Sequence, residues 1–310
     1  VYTLRPYVAA DAPAWDALVA RSRNGNFLHR RGYMDYHADR FDDASVVVER
    51  DGEIAAVFPA NRRGTDVVSH AGLTYGGLIV GDDLRAGGTL DVFTAMADHY
   101  REAGVEQIVY KAVPHVFHRY PAEEDLYALH RLGARVVRRD ISSVIPLGGD
   151  RRVTAGRKGD VAKARRAGIR VGVGDDLAPF HALLESTLAR HAAVPTHSLA
   201  ELVLLRSRFP QAIVLHEARG GDQLLAAVLV YDFGRVVHTQ YMASSEDGRR
   251  LGALSLLLAE LIERIYATRS HLAFGISTED GGRVLNAGLV AQKESFGARG
   301  VVHDVYGWTL

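Results

Sequence analysis

Cysteine is absent from this chain of 310 residues, which excludes disulfides, thiolate metal ligands and a cysteine acyl-enzyme. A surplus of either charge is missing too, since Lys and Arg total 37 and Asp and Glu total 37. The summed field therefore draws the molecule toward neither nucleic acid nor an anionic membrane, and any polyanion must meet a local patch. Long apolar runs are lacking: no uncharged stretch approaches the roughly 18 residues that would cross a bilayer. Residues 1–5 carry no basic segment followed by an apolar core of the kind a secretory signal needs. A cytoplasmic location without a membrane partner is expected. There is no Gly-x-Ser-x-Gly elbow, no His-Glu-x-x-His, no Walker loop and no Gly-x-Gly-x-x-Gly after a strand. Hydrolase, metalloprotease, kinase and dehydrogenase chemistry thus lose their usual signatures.

What is present is the ordinary mixture of a globular protein, 47% apolar and 24% charged. The length suits two domains. Periodicity and turn signals repeat along the two halves. In the first, 45–50 and 54–61 read as strands around an Asp51-Gly52 hairpin turn, and 67–80 as a third extended segment. A helix over 90–103, a strand over 107–113, a helix over 124–132 and an extended 135–147 follow. In the second, strands over 212–218 and 224–231 flank a turn at Gly220-Gly221-Asp222, and 236–242 is the third strand. A helix over 252–268, a strand over 271–276, a short helix over 286–295 and a last strand over 301–308 complete the set. Each half also opens with helical segments, 12–20 and 32–40 in one, 177–191 and 199–208 in the other. The expected fold class is α/β (α+β): two tandem lobes, each a mixed, mainly antiparallel sheet flanked by helices. The lobes are expected at 1–148 and 171–310, joined by a basic linker helix over 149–170.

This element order resembles the GNAT acyltransferase fold, and two such lobes in one chain resemble the double-GNAT Fem ligases. Three stretches carry the likeness: Asn24-Gly25-Asn26-Phe27-Leu28-His29, Leu73-Thr74-Tyr75-Gly76-Gly77-Leu78, and Gln292-Lys293-Glu294-Ser295-Phe296-Gly297, the last similar to a Lys-x-x-Phe-Gly signature of Fem ligases. The resemblance implies transfer of an acyl group from a carrier to an amine. The carrier the resemblance implies is acyl-CoA as co-substrate, with aminoacyl-tRNA as the other donor the family allows. Arg249-Arg250-Leu251-Gly252-Ala253-Leu254 stands where GNAT proteins bind pyrophosphate, with Leu254 in place of a final small residue.

The residues themselves give the candidate site. The turn before the second central helix offers backbone N–H groups without intrahelical partners, and a helix start favours an anion. Arg249, Arg250, Gly252, Ala253 and Gln240 are the candidate carrier-binding residues there. Chain pairing sets Tyr75 and Tyr241 at matching places on the third strand of each half, with His70 and His238 nearby. Tyr241 is the candidate acid; a packing tyrosine with a wet hydroxyl is the plainer reading. Glu279, beyond the carboxyl end of the 271–276 strand, is the candidate base, or else a turn carboxylate. Lys293 is matched to the Fem-like lysine and could neutralise a carrier phosphate or an oxyanion. His70, Tyr75, Lys111 and His115 in the first half, with His238 in the second, are the candidate substrate-binding residues. His115 and His118 lack a third ligand at convincing spacing, so no metal is expected.

The segment 151–170 holds eight Lys and Arg against Asp160 alone and could face a phosphate-rich substrate or tRNA, or be a solvated helix face. The second lobe is thus expected on the acyl-carrier side and the first on the side of the acceptor, a small-molecule amine, with a nucleotide sugar or a natural product among the candidates. A tRNA-dependent aminoacyltransferase and a non-catalytic binding protein on the same fold are the rival readings.

Overall fold

The computed structural model describes residues 2–310, and the chain's contacts divide it into two compact units. The first comprises the residues up to Ile141 with Asp280–Val284 and Val302–Leu310. The second comprises Ser142–Glu279 and Leu285–Val301.

In the first unit Asp51 and Gly52 both adopt positive φ, 55° and 82°, joining Val46–Arg50 to Glu53–Phe58 in a two-residue hairpin whose twist suits the flanking strands. Thr3–Pro6 and Ile79–Val80 complete this four-stranded antiparallel sheet. A second set of strands is built on Gln107–Lys111, which pairs antiparallel with the chain's last strand (Tyr306 opposite Tyr110) and parallel with Asp66–Val68. The helix Ala86–Glu102 buries Val92, Phe93, Met96, Ala97 and Tyr100, a helical-period stripe, against a core that includes Phe58, Ile108, Tyr110 and Trp308.

The extended segment expected over 67–80 is not continuous. Strand ends at Val68 and resumes at Ile79. Between them the backbone turns at His70 (φ 52°) and Gly77 (φ 71°), and a Cβ on Gly76 would stand 2.3 Å from the Ser69 carbonyl oxygen. Tyr75 therefore lies in a loop and does not occupy the place in a strand that Tyr241 holds.

In the second unit the sheet order is Arg170–Gly174, Ile213–Gly220, Gln223–Asp232, Val236–Ser244, His271–Ile276 and residues 142–146 of the strand Arg135–Pro146. Neighbours are antiparallel except Val236–Ser244 and His271–Ile276. The central strand Gln223–Asp232 is buried on both faces, which explains its nearly continuous apolar run. Residues 149–170 fall inside this unit. There the basic helix Ala155–Arg166, capped by Thr154, packs its one buried residue, Ala164, into the core with Leu257, Leu261 and Phe274.

The expected helix over 252–268 begins earlier and is broken. Ser245 accepts the Gly248 N–H at 2.9 Å and starts a first segment, Glu246–Leu251. Gly252 then turns to φ 77°, Ala253–Glu260 follows, and Leu261–Ile265 closes as a π turn.

Candidate functional site

Two parallel strands that separate create an opening a sheet does not otherwise have. Val236–Ser244 and His271–Ile276 pair only at Val236/His271, Val237/Leu272 and His238/Ala273, and each then continues alone toward Ser244 or Ile276. On its other side Val236–Ser244 carries a bulge, for Tyr241 is opposite Leu229 while Thr239 is opposite Val230. Gln240 is the extra residue. A bulge re-aims the side chains that follow it, and Tyr241 is the next one.

The Tyr241 hydroxyl lies 2.7 Å from His197 Nδ1. Burial raises its pKa above the ordinary phenol value, so it stays protonated through neutral pH. His197 is anchored through its backbone, since its carbonyl oxygen lies 3.1 Å from His181 Nε2. Sequence reading missed His197 because its partner is 44 residues away and neither residue sits in a motif.

A cavity of about 400 Å³ opens at the turn beyond Ser244, lined by Gly248, Arg249, Gly252, Leu254 and Ser255. The basic helix contributes Arg157 and Asp160, and the end of the helix Leu177–Ala189 and the residues after it contribute Thr187, Arg190 and His191. Three arginines face one carboxylate, a balance that suits an anion. Gly252 is required twice over: its φ is positive, and a Cβ would meet the Asp160 carbonyl oxygen at 2.6 Å. Asp160 also reaches toward the first turn after Gly252, its Oδ2 accepting from Ser255 Oγ at 3.3 Å.

Of the expected carrier-binding residues, Arg249 and Gly252 line this cavity, Arg249 donating to the Ser244 carbonyl at 2.9 Å. Arg250 instead pairs with Asp247 at 2.8 Å on the exposed surface, and the Ala253 side chain is part of the core. Leu254, at the departure from the GNAT loop pattern, is a cavity wall. Arg157 and Arg190 were not expected as individual site residues; the basic run 151–170 was the only signal of the first.

Lys293 is 3% exposed and donates to the carbonyl oxygens of Gly275 (2.6 Å) and Ile276 (3.1 Å) and to Ser277 Oγ (2.6 Å). Burial lowers its pKa to about 8, so it is an ammonium at neutral pH with all three hydrogens engaged. The rest of its motif is structural too. The Ser295 carbonyl accepts from Thr154 N at 3.0 Å, Phe296 carries the Arg157 guanidinium at 4.5 Å from its ring centre, and Gly297, at φ 91°, leaves 3.0 Å between a virtual Cβ and Arg151 Cβ. Glu279 is exposed on a short strand and accepts from Asn286 Nδ2 at 2.7 Å. His238 stands at the last paired position of the splayed strands and stacks on Phe233.

In the first unit Lys111 Nζ donates to the His70 carbonyl at 2.7 Å and to the Leu73 carbonyl. Its burial lowers the pKa to about 7, and burial lowers that of His70 to about 3. Tyr75 Oη accepts from Asn26 Nδ2 at 3.1 Å, and its ring stacks on Phe117. These three residues hold the 69–78 loop together. His115 is exposed at the start of a 3-10 turn. Among the described residues no group of three or more His, Asp or Glu could hold a metal ion, and no helix is long and apolar enough to cross a membrane.

The splayed pair, the bulge and the helix start beyond it define a GNAT acyltransferase-type fold, and residues 151–280 match the family model described as Acetyltransferase (GNAT) domain. The chain as a whole has a GNAT/Fem-like fold. It superposes on the crystal structure of FemX with a TM-score of 0.70 at 13% identity, covering 99% of this chain and 97% of that one. The C-terminal domain of a putative lysylphosphatidylglycerol synthetase from Agrobacterium fabrum gives 0.63 at 13% identity, covering 97% and 92%. L-PGS from Bacillus licheniformis gives 0.63 at 12%, covering 96% and 91%. No curated protein sequence matches the chain.

Proposed function

We propose that the chain is an N-acyltransferase that moves an acyl group from a phosphate-bearing carrier, acyl-coenzyme A in the first place, to the amine of a small acceptor. The observation that carries this reading is the cavity with Arg157, Arg190 and Arg249 at the turn beyond the splayed strand. An anionic handle held there would lead its acyl end toward the opening between the strands. In this proposal Glu279 takes a proton from the attacking amine, the C–N bond forms as the carbon–sulfur bond breaks, and Tyr241 protonates the departing thiolate, with His197 holding the phenol. Lys293 is assigned a positioning role, since its hydrogens are already used. Of the acceptor candidates in the first unit only His115 keeps an exposed side chain, while His70 and Tyr75 are buried and Lys111 is tied to loop carbonyls.

Titration calorimetry with coenzyme A and acetyl-coenzyme A tests the carrier. Saturable binding is expected, weakened about tenfold or more in Arg190→Glu, a loss of about 1.4 kcal/mol. Absence of any thermal stabilisation at millimolar coenzyme A sinks this carrier. Once transfer is measured, Tyr241→Phe should lower kcat by about a hundredfold with the carrier Kd unchanged. An undiminished kcat removes Tyr241 as the acid.

Aminoacyl-tRNA is the second donor, favoured by the fold shared with FemX and by the exposed cations Lys158, Lys163 and Arg166 on the basic helix. It requires binding of charged tRNA whose log affinity falls linearly with log salt. A salt-independent or absent interaction rules it out.

A further inference from the structure

The basic helix Ala155–Arg166 borders a second cavity, of about 430 Å³, whose composition differs from the first. Its floor is aliphatic and apolar, formed by Val153, Val161, Ala259 and Ile262 beside Phe296. Ile262 belongs to the π turn Leu261–Ile265, an irregularity that recurs at functional sites. The rim is cationic, with Glu263 as the one acid.

Much of that rim charge is already neutralised. Arg151 pairs with Glu263 at 2.6 Å, Arg165 with Glu260 at 3.2 Å and Arg157 with Asp160 at 3.3 Å. The side chains of Lys158 and Arg166, both exposed, have no hydrogen-bond or ion-pair partner among the described residues.

The two features together select the ligand's chemistry. A bare inorganic anion would answer the cations and leave the apolar floor wet, while a neutral hydrocarbon would cover the floor and bury the cations unpaired. A planar base has no open aromatic face to stack on, because Phe296 is buried and the Arg157 guanidinium lies over its ring. We propose that this cavity binds an amphiphilic anion, an alkyl chain ending in a phosphate or carboxylate, at a site separate from the carrier cavity. The chain lies along Val161, Ala259 and Ile262, and the head group meets Lys158 and Arg166. The proposal does not rest on the acyl-transfer reading.

Calorimetric titration of the intact protein with octyl phosphate and octanoate, below their micelle concentrations, tests it. Inorganic phosphate and octyl glucoside serve as the head-only and neutral-chain probes. Saturable binding of one anionic amphiphile per chain is expected, about tenfold or more tighter than either probe. Tighter binding of one head group over the other supports the proposal and identifies the phosphate or the carboxylate as the source. Lys158→Glu with Arg166→Glu, both on the exposed helix surface, should weaken binding about tenfold, and Ile262→Trp should abolish it while far-UV circular dichroism stays unchanged. Should Ile262→Trp lose its fold, the exposed double variant still decides the matter. Binding should persist in excess coenzyme A. Equal binding of octyl glucoside, equal binding of inorganic phosphate, no saturation, or displacement by coenzyme A would each overturn the separate amphiphile site.

Discussion

Lys293 shows how a motif can be legible while its work is not. The Lys-x-x-Phe-Gly spacing stands out in the sequence, yet the lysine's three acceptors lie 16 to 18 residues earlier, at the end of a strand. Nothing at residues 292–297 announces them. Replacing the ammonium by an apolar group of similar length strands two carbonyls and a hydroxyl in a buried place. Lys293→Met is therefore expected to cost about 2 to 4 kcal/mol in urea-derived stability. If the variant unfolds at the wild-type midpoint, the lysine is not the tie described here. Tyr241 is the converse case. Its strand was readable, but the bulge at Gln240 and the His197 contact that aim and hold it depend on residues from two other segments.

At the scale of elements, hairpins were readable because their turns have local chemistry. Asp51-Gly52 and the connection before Gln223 sit where the sequence expects them. The loop 69–78 was not readable, since its form depends on Lys111 tying down the carbonyls of His70 and Leu73. Gly252 was legible only in part. A glycine ahead of an apolar helical run reads as the helix start, and it does cap Ala253–Glu260, but an earlier segment begins at Ser245 and the glycine is the left-handed break between the two, where the Asp160 backbone comes close. That approach lies 92 residues away in the chain by the numbering of the two positions. Gly252→Ala adds both positive-φ strain and a clash with backbone that cannot rotate aside. A loss of about 2 kcal/mol or more is expected in chemical denaturation, with weaker binding of the proposed coenzyme A carrier because the cavity wall shifts. Unchanged stability and affinity would show that the basic helix moves aside freely.

At the scale of the whole molecule, chain order and compact units do not coincide. Residues 142–146, at the end of the first half's last strand, pair with His271–Ile276 in the second unit, and Val302–Leu310 at the chain's end belongs to the first. Periodicity finds both strands but cannot say which neighbour each will take. The buried histidines give the molecule a pH dependence of definite sign. Burial lowers His29, His216 and His303 to about 4 and His70 to about 3, from an ordinary value of 6.5. The unfolded chain therefore takes up protons below pH 6.5 that the folded chain refuses. Stability from these groups is present above 6.5 and is lost as pH falls toward their folded values, by up to about 1.4 kcal/mol per histidine per pH unit. Asp125, raised by burial to about 6, and Asp16, also raised by burial, act in the opposite sense but are two groups against four. Three of the four histidines, and both tryptophans, Trp15 and Trp308, lie in the first unit, so tryptophan emission reports on the unit with most of the effect. On acidification that emission should shift to the red with a midpoint between pH 6.5 and 4, and urea-derived stability should fall steeply over the same interval. A stability that is level from pH 7 to pH 4.5 would mean that these imidazoles accept protons in the folded state, and that their burial is less complete than the structure has it.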